Sequence, residues 1–432
     1  MEKVTDYAII SFMTHEQFTK KFHQNTERAW TVIKWIIYSC MLGCVLGLVG
    51  ALFSFAISDV TTARTTQPYF LLLLPVGAVV IRLFYHVFHS DDDRGTNIVL
   101  SAIHSNDEVP LRMSVLIFFS TILSHLAGAS VGREGAALQL GGSLGAWFGR
   151  VFNFNAQDKK TMIMCGMSGV FAALFGTPMA AAVFAMEVVS VGIMHYAALL
   201  PCVITAYMAH GLASLLTVPT PHYEIIDLPE FSISIGIAIL FFGAACGILS
   251  MLFCISLRQV EKFAHNAFYN RYLRAFVCGT LLLAATLVCQ TQEFNGAGGD
   301  VIAQCMLGAH YKYAFLLKII FTAVSIAAGY KGGEIVPSFF IGATFGSLIA
   351  QMTGANPSLL AAVGIGSVFC GVTNCPLSSL LICFELFGLD AAPYFIISIA
   401  ISYTVSGYYG LYSGQKIVYS KYKSIFIDTK AR

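Results

Sequence analysis

The chain has 432 residues, of which 57% are hydrophobic and only 11% are charged. Soluble domains carry about 25% charged residues, so this composition excludes an ordinary soluble protein. The net charge of +2 indicates neither an acidic nor a basic partner, and nucleic acid is not expected to bind.

Apolar segments follow one another along the chain. Residues 1–29 are predicted to be a cytoplasmic N-terminal segment without the features of a cleavable signal peptide, and the first span is predicted to begin near Trp30. A helix crosses the hydrocarbon core with roughly 20 residues. Further stretches of about this length are 69–85, 111–128, 231–257 and 313–329. The 38 glycines and 12 prolines predict helices broken within the membrane, which is tolerated where backbone is buried in protein or lines a cavity.

An internal repeat divides the chain. GMSGVFAALFGTPMAAAVFAMEVV at 166–189 aligns without gaps with GIGSVFCGVTNCPLSSLLICFELF at 364–387. Upstream, GREGAALQLGGSLG at 132–145 aligns with GEIVPSFFIGATFG at 333–346. We therefore predict two transmembrane repeats, followed by a cytoplasmic tail. Their bounds are 30–222, 223–415 and 416–432.

Basic residues predict the orientation. They cluster before the first span, at 258–274 and at the C-terminus, and the positive-inside rule places all three clusters in the cytoplasm. In a cell (inner) membrane, both termini would then be cytoplasmic. The two halves would run in opposite directions, as in inverted-repeat transporters.

The motif GREGA at 132–136 places Glu134 between an apolar span and a helix predicted to start near Ala136. Ionisable residues at membrane depth are costly and usually functional, and a helix N-terminus binds anions. A carboxylate there can act as a surrogate anion that leaves when protonated. The alternative is a capping carboxylate paired with Arg133.

The second half repeats this arrangement. KGGEIVP at 331–337 places Glu334 before a helix predicted to start at Pro337, where proline is favoured in the first turn. Two glutamates at paired helix starts indicate a function beyond capping. Glu187 and Glu385 are a second equivalent pair, predicted either to brace helix ends or to assist proton entry.

These motifs resemble those of the CLC family of anion channels and proton-coupled antiporters. GREG is similar to the motif of the external gate, which implies that Glu134 gates the anion path and carries protons. GEIVP is similar to the motif GxFxP, GTNIV at 95–99 falls where the family has GSGIP, and LYS at 411–413 matches the segment with the pore tyrosine. The resemblance implies an all-α, CLC-type inverted-repeat fold with many tilted and broken helices, assembled as a homodimer. The anion-binding residues that it implies are Thr96, Asn97, Ile98, Gly132, Arg133, Gly135, Ile335 and Tyr412.

Departures from the family pattern resemble its fluoride-specific branch. Val188 falls where proton-coupled chloride exchangers have an inner glutamate, and Glu334 is similar to a glutamate of the fluoride branch. The resemblance implies a fluoride/proton antiporter in which Glu134 and Glu334 handle gating and protons. Its partners would be fluoride, possibly chloride, protons and the lipid bilayer. Neither a cofactor, a metal ion nor a catalytic residue is predicted.

Several alternatives stay open. Thr96 and Asn97 are also ordinary turn residues, and Tyr408 or Tyr409 competes with Tyr412 as the pore tyrosine. The protein could instead be a CLC-type chloride channel or chloride/proton exchanger, or a passive fluoride channel. A membrane-embedded enzyme would need a nucleophile or metal cluster near the midplane, and the sequence offers no such cluster.

Overall fold

The computed structural model describes residues 15–91, 94–105 and 107–431, with side chains from residue 24 onward. Within these ranges the chain forms sixteen α-helices, two short 3-10 helices and three short strands. The first eight helices are α1 (His15–Thr66), α2 (Leu74–Val87), α3 (Asn97–His104), α4 (Arg112–Ala127), α5 (Glu134–Val151), α6 (Ala156–Phe175), α7 (Pro178–Glu187) and α8 (Leu199–Leu215). The second eight are α9 (Ile233–Ala267), α10 (Arg271–Cys289), α11 (Gly299–Met306), α12 (Ala314–Ala328), α13 (Ile335–Thr353), α14 (Pro357–Thr373), α15 (Pro376–Phe387) and α16 (Ala392–Val405).

Six apolar helical segments of the described chain are long enough to cross a membrane. They are Gln24–Thr66, Pro68–Val87, Tyr196–Leu215, Ile233–Ala267, Arg271–Cys289 and Ile335–Thr353. The first predicted boundary, at residues 29 and 30, falls inside α1, so the chain is already helical before Trp30. The stretches at 111–128 and 313–329 form helices of only 16 and 15 residues. At about 1.5 Å per residue these helices are shorter than the hydrocarbon core, as expected for helices that end inside the protein.

The two halves have the same order of helices, so that α1–α8 correspond to α9–α16. In each half the helix after the glycine motif packs closely on the next helix. A Cβ on Gly141 would lie 2.1 Å from the carbonyl oxygen of Gly166, and one on Gly342 would lie 2.3 Å from that of Gly364. These glycines are the positions matched in the sequence repeat. The two halves therefore share the same close packing between consecutive helices.

A small sheet joins the C-terminal segment to the first half. Strand β1 (Ser190–Val191) pairs in parallel with β2 (Lys416–Tyr419), and β2 pairs antiparallel with β3 (Phe426–Lys430). The described part of the predicted tail, 416–431, therefore contains a β-hairpin that pairs with the first half through β1. The strands have only two to five residues, which is too short for a clear alternation, so the sequence did not indicate them.

Candidate anion and proton site

The two glycine motifs meet in the middle of the protein. The backbone N–H of Gly132 donates to the carbonyl of Gly333, and the N–H of Gly333 donates to the carbonyl of Gly132, both at 2.7 Å. A Cβ on Gly333 would lie 2.2 Å from the backbone nitrogen of Gly135, so only glycine permits this approach. The two motifs are therefore in direct contact, and their antiparallel pairing is that of two segments related by a two-fold axis.

Both helices begin within the motif and not after it. α5 begins at Glu134, two residues before the predicted start, and α13 begins at Ile335, also two residues early. The first N–H groups of a helix have no intrahelical acceptor and carry its partial positive charge. Two such N-termini lying side by side form a place where an anion is stabilised.

Glu134 is buried, and its carboxylate folds back onto its own helix start. Its Oε2 accepts a hydrogen bond of 2.9 Å from the backbone N–H of Arg133, and its Oε1 lies 3.5 Å from Nε of the same arginine. The carboxylate thus occupies a donor that a bound anion would otherwise use. This geometry suits both the surrogate anion and the capping carboxylate.

Arg133 is held in place by the surrounding helices. Its guanidinium donates a hydrogen bond of 2.8 Å to the hydroxyl of Ser54 on α1 and one of 3.2 Å to the carbonyl of Leu174 on α6. These bonds fix the cation beside Glu134, so its charge is a constant part of the site.

Glu334 immediately precedes α13 and is half-buried. Its Oε2 lies 3.6 Å from the position that a Cβ on Gly135 would occupy. The carboxylate of the second repeat therefore reaches the N-terminus of the helix that carries Glu134. Acidic side chains from the two halves therefore both lie at the start of α5.

The GTNIV segment lies against this cluster. The hydroxyl of Thr96 donates a hydrogen bond of 2.9 Å to the carbonyl of Gly135. This bond uses the only hydrogen of the hydroxyl group. Oδ1 of Asn97 accepts 2.8 Å from the N–H of Gly414, and Ile98 packs on the hydrophobic core. In this conformation Thr96 and Asn97 hold the segment to α5 and to the C-terminal segment, and their role as direct anion ligands stays a prediction.

Tyr412 differs from its neighbouring tyrosines. The Tyr408 hydroxyl is paired with Ser420 at 2.8 Å. The Tyr412 side chain is buried, its hydroxyl has no hydrogen-bond partner among the described residues, and both Glu134 and Glu334 interact with it electrostatically. An unpaired buried donor costs about 1–3 kcal/mol. A small anion between the two helix starts would supply the missing acceptor.

A chain of phenylalanine rings crosses from one half to the other beside the site. The successive pairs have ring centroids 5.2–5.8 Å apart. Ring edges carry partial positive charge, so such a chain provides an apolar lining that an anion tolerates. The ring chain consists of Phe175, Phe339, Phe369, Phe184 and Phe171. The matched positions Phe171 and Phe369 were the available signal in the repeat.

An open cavity of about 820 Å³ leads to Glu134. We call it the outer vestibule, after the side on which the predicted orientation places it. Its walls come from the end of α1, the loop at 219–223, the segment at 291–298 and the start of α11, and its floor includes Arg133, Glu134 and Val336. The cavity gives small ions and protons access to the carboxylate of Glu134 from one side of the protein.

Residues 76–407 match the protein-family model described as "Voltage gated chloride channel". This match decides the family. The chain belongs to the CLC family. It is a polytopic membrane protein of the anion and proton transporter type that this family comprises.

Individual CLC proteins are similar over most of their length. A "Chloride/fluoride channel protein" of Pseudomonas syringae is 34% identical over 398 residues, which cover 90% of this chain and 88% of the relative. An "H(+)/Cl(-) exchange transporter ClcA" of Vibrio cholerae is 24% identical over 81% of both chains.

Solved structures agree with the fold. The crystal structure of a CLC-type fluoride/proton antiporter superposes with a TM-score of 0.85 at 27% identity, covering 93% of this chain and 99% of the other. A slow cyanobacterial Cl-/H+ antiporter superposes with a TM-score of 0.74 at 15% identity, covering 86% and 94%. The CLC-type inverted-repeat fold implied by the motifs is thereby confirmed.

Proposed function

We propose that this CLC protein is a fluoride/proton antiporter that exports fluoride from the cytoplasm in exchange for entering protons. The observation that carries the proposal is the position of Glu334 beside Gly135. It gives the cluster of backbone donors a second carboxyl group in addition to Glu134. A site with two carboxyl groups can hold a proton and an anion in the same small volume.

Fluoride gains more from such a site than chloride does. Fluoride is small, strongly hydrated and a strong hydrogen-bond acceptor, so its transfer out of water demands short, strong donors. A protonated Glu334, the Tyr412 hydroxyl and the N–H groups of α5 and α13 are donors of this kind. Chloride, being larger and more weakly hydrated, loses less on dehydration and gains less from them.

The exchange cycle follows from competition for the donors. Ionised Glu134 occupies the N–H of Arg133 and excludes an anion from that donor. A proton arriving through the outer vestibule neutralises the carboxylate, which loses its attraction to the helix N-terminus and releases the donor to fluoride. Fluoride leaves to the outside, the proton passes to Glu334, and Glu334 releases it to the cytoplasm.

Similar proteins support the fluoride assignment. The Pseudomonas syringae relative is named for chloride and fluoride, and the structure with the TM-score of 0.85 is named for fluoride and protons. By the positive-inside rule, both termini lie in the cytoplasm of an inner-membrane protein. A homodimer with one pathway per subunit is part of the proposal, because the CLC resemblance implies it.

A chloride/proton exchanger is the second candidate, favoured by similarity to the Vibrio cholerae transporter. The CLC resemblance implies that such exchangers carry an inner glutamate where this chain has Val188, a buried apolar residue. A proton route through that position is therefore missing, which favours the route through Glu334.

Reconstituted liposomes test the assignment. Vesicles loaded with fluoride or chloride are diluted into ion-free buffer, and anion efflux and proton uptake are recorded with electrodes. We expect fluoride efflux with proton uptake from the wild type, and anion efflux uncoupled from protons in Glu134→Ala and Glu334→Ala. Glu230→Ala, which removes an exposed loop carboxylate, is the matched control and should behave as wild type.

Two results would overturn the proposal. Equal chloride and fluoride fluxes in the wild type would remove the fluoride assignment. Fluoride flux that never moves protons against their gradient would make the protein a passive channel.

A further inference from the structure

Buried basic side chains surround the inner end of the outer vestibule, separate from the donors of α5 and α13. His125 and Arg64 both line the cavity, and both side chains are more than nine-tenths buried. Arg133 lines the same end, and Lys318 lies behind it, donating 2.7 Å to the carbonyl of Gly296. The proposed transport cycle assigns no role to His125 or Arg64.

His125 has a defined tautomer. Its Nδ1 lies 2.9 Å from the carbonyl oxygen of Thr121, one turn earlier in α4. A carbonyl only accepts, so Nδ1 carries the hydrogen and Nε2 of the neutral ring has a lone pair. Nε2 is buried and has no hydrogen-bond partner among the described residues. It can take up a proton, and only then does it become a donor.

Arg64 is incompletely paired in the same place. Its Nη1 donates 3.0 Å to the side-chain oxygen of Gln292, while its buried Nε has no partner in the part of the chain that the structure describes. A buried guanidinium N–H without an acceptor is costly. Arg64 and His125, which line one cavity, thus each have a buried polar atom without a partner among the described residues.

The charges around His125 are mostly positive. Arg64 of α1, Arg133 before α5 and Lys318 of α12 all interact with it electrostatically. The carboxylates that line the vestibule are Glu134, held by Arg133, and the exposed Glu293 and Asp300. Exposed charges are screened by water and salt, whereas the buried cations are not. His125 lies in the last turn of α4, where the helix dipole favours a cation.

We propose that Arg64 and His125 form a second fluoride site in the outer vestibule, which binds the anion only when Nε2 of His125 is protonated. The anion offsets the repulsion between the imidazolium and the three neighbouring cations, and the imidazolium and Arg64 Nε supply hydrogen bonds to it. Proton and fluoride therefore raise each other's affinity at this site. The inference rests on the proposed fluoride transport and adds a place where the outgoing anion and the incoming proton meet.

Equilibrium binding of sodium fluoride to the purified protein in detergent tests the site without any ion gradient. Titrations at about pH 4.5 and about pH 7.5 are compared, and the lower value lies below the ordinary titration range of histidine because the neighbouring cations oppose protonation of His125. For the wild type we expect two fluoride ions per subunit at the lower pH and one at the higher. His125→Asn and Arg64→Gln should each bind one at both pH values.

His210→Asn is the matched control, because His210 is a half-buried histidine of α8 that does not line the vestibule. It should keep the pH-dependent second ion. Gel filtration and the remaining central ion report whether each variant is folded. A second ion that persists in folded His125→Asn at the lower pH, or equal stoichiometry at both pH values in the wild type, would overturn the inference while leaving the central site intact. A wild type that binds no fluoride at all would instead overturn the proposed function.

Discussion

Glu187 and Glu385 form two reciprocal helix caps. Each lies near the end of its own helix, and its carboxylate caps the start of the helix that contains the other glutamate. The carboxylate of Glu187, the last residue of α7, accepts from the backbone N–H groups of Leu377 and Ser378 at 3.1 and 2.8 Å. The carboxylate of Glu385, in the last turn of α15, accepts from those of Met179 and Ala180, both at 2.9 Å. The two repeats are therefore joined by a reciprocal pair of helix caps, the first of the two roles predicted for these residues.

Removal of either cap should weaken the protein without affecting proton coupling. Glu187→Ala and Glu385→Ala each leave two helix N–H groups unpaired, at a cost of about 1–2 kcal/mol. We expect a lower melting temperature in detergent and unchanged proton-to-fluoride coupling in liposomes. Glu230→Ala serves as the control. Lost coupling at an unchanged melting temperature would instead assign these glutamates to proton entry.

Substitution of Gly333 by alanine should disrupt the site. The new Cβ would lie 2.2 Å from the backbone nitrogen of Gly135, which forces the two helix N-termini apart. We expect fluoride efflux from liposomes to fall at least about tenfold, equivalent to roughly 1.4 kcal/mol. Gly211→Ala meets no atom within 4 Å and should transport normally. Full activity of Gly333→Ala would show that the close backbone pairing is not required.

Tyr412→Phe separates binding from stability. The Tyr412 hydroxyl has no partner in the described part of the chain, so its removal abolishes a desolvation penalty and should not lower the melting temperature. If this hydroxyl donates to fluoride, the variant should bind the ion about three- to tenfold more weakly, as expected for one hydrogen bond of about 1 kcal/mol. Tyr408→Phe, which loses only the bond with Ser420, should bind fluoride as wild type does. Unaltered affinity in Tyr412→Phe would argue against an anion ligand at this position.

Lys421 should make stability depend on alkaline pH. Burial lowers the pKa of Lys421 to about 8, although its ammonium group donates to the side chain of Asn374 and the carbonyl of Tyr403. Between pH 8 and the ordinary lysine pKa of 10.5, the unfolded chain binds more protons than the folded one. The contribution of this group to stability therefore rises as pH increases through that window.

The comparison is between melting temperatures at about pH 7 and about pH 9.5. From about pH 7 to about pH 9.5, the melting temperature of the wild type should rise more, or fall less, than that of Lys421→Met. Lys423→Met, which removes an exposed lysine of the same segment, should retain the wild-type difference. Identical pH dependence in all three proteins would show that Lys421 is not the responsible group.

Local sequence was sufficient for the class of protein, the repeat and the two acidic motifs. Apolar segments show membrane insertion directly, and the glycines of the repeat record close helix packing because no other residue permits it. The same residues did not reveal how short α4 and α12 are or that the chain is helical before Trp30, since hydropathy does not mark where a helix ends inside a protein.

The contacts of Thr96, Tyr412 and His125 were decided only by the tertiary structure. Each depends on a partner that is distant in sequence or missing: Thr96 binds the carbonyl of Gly135, and the Tyr412 hydroxyl and Nε2 of His125 have no partner among the described residues. The sequence by itself determined that two electropositive helix starts exist and that each has a glutamate. Only folding placed them together, because the hydrogen bonds between Gly132 and Gly333 join residues that are 201 positions apart in the sequence.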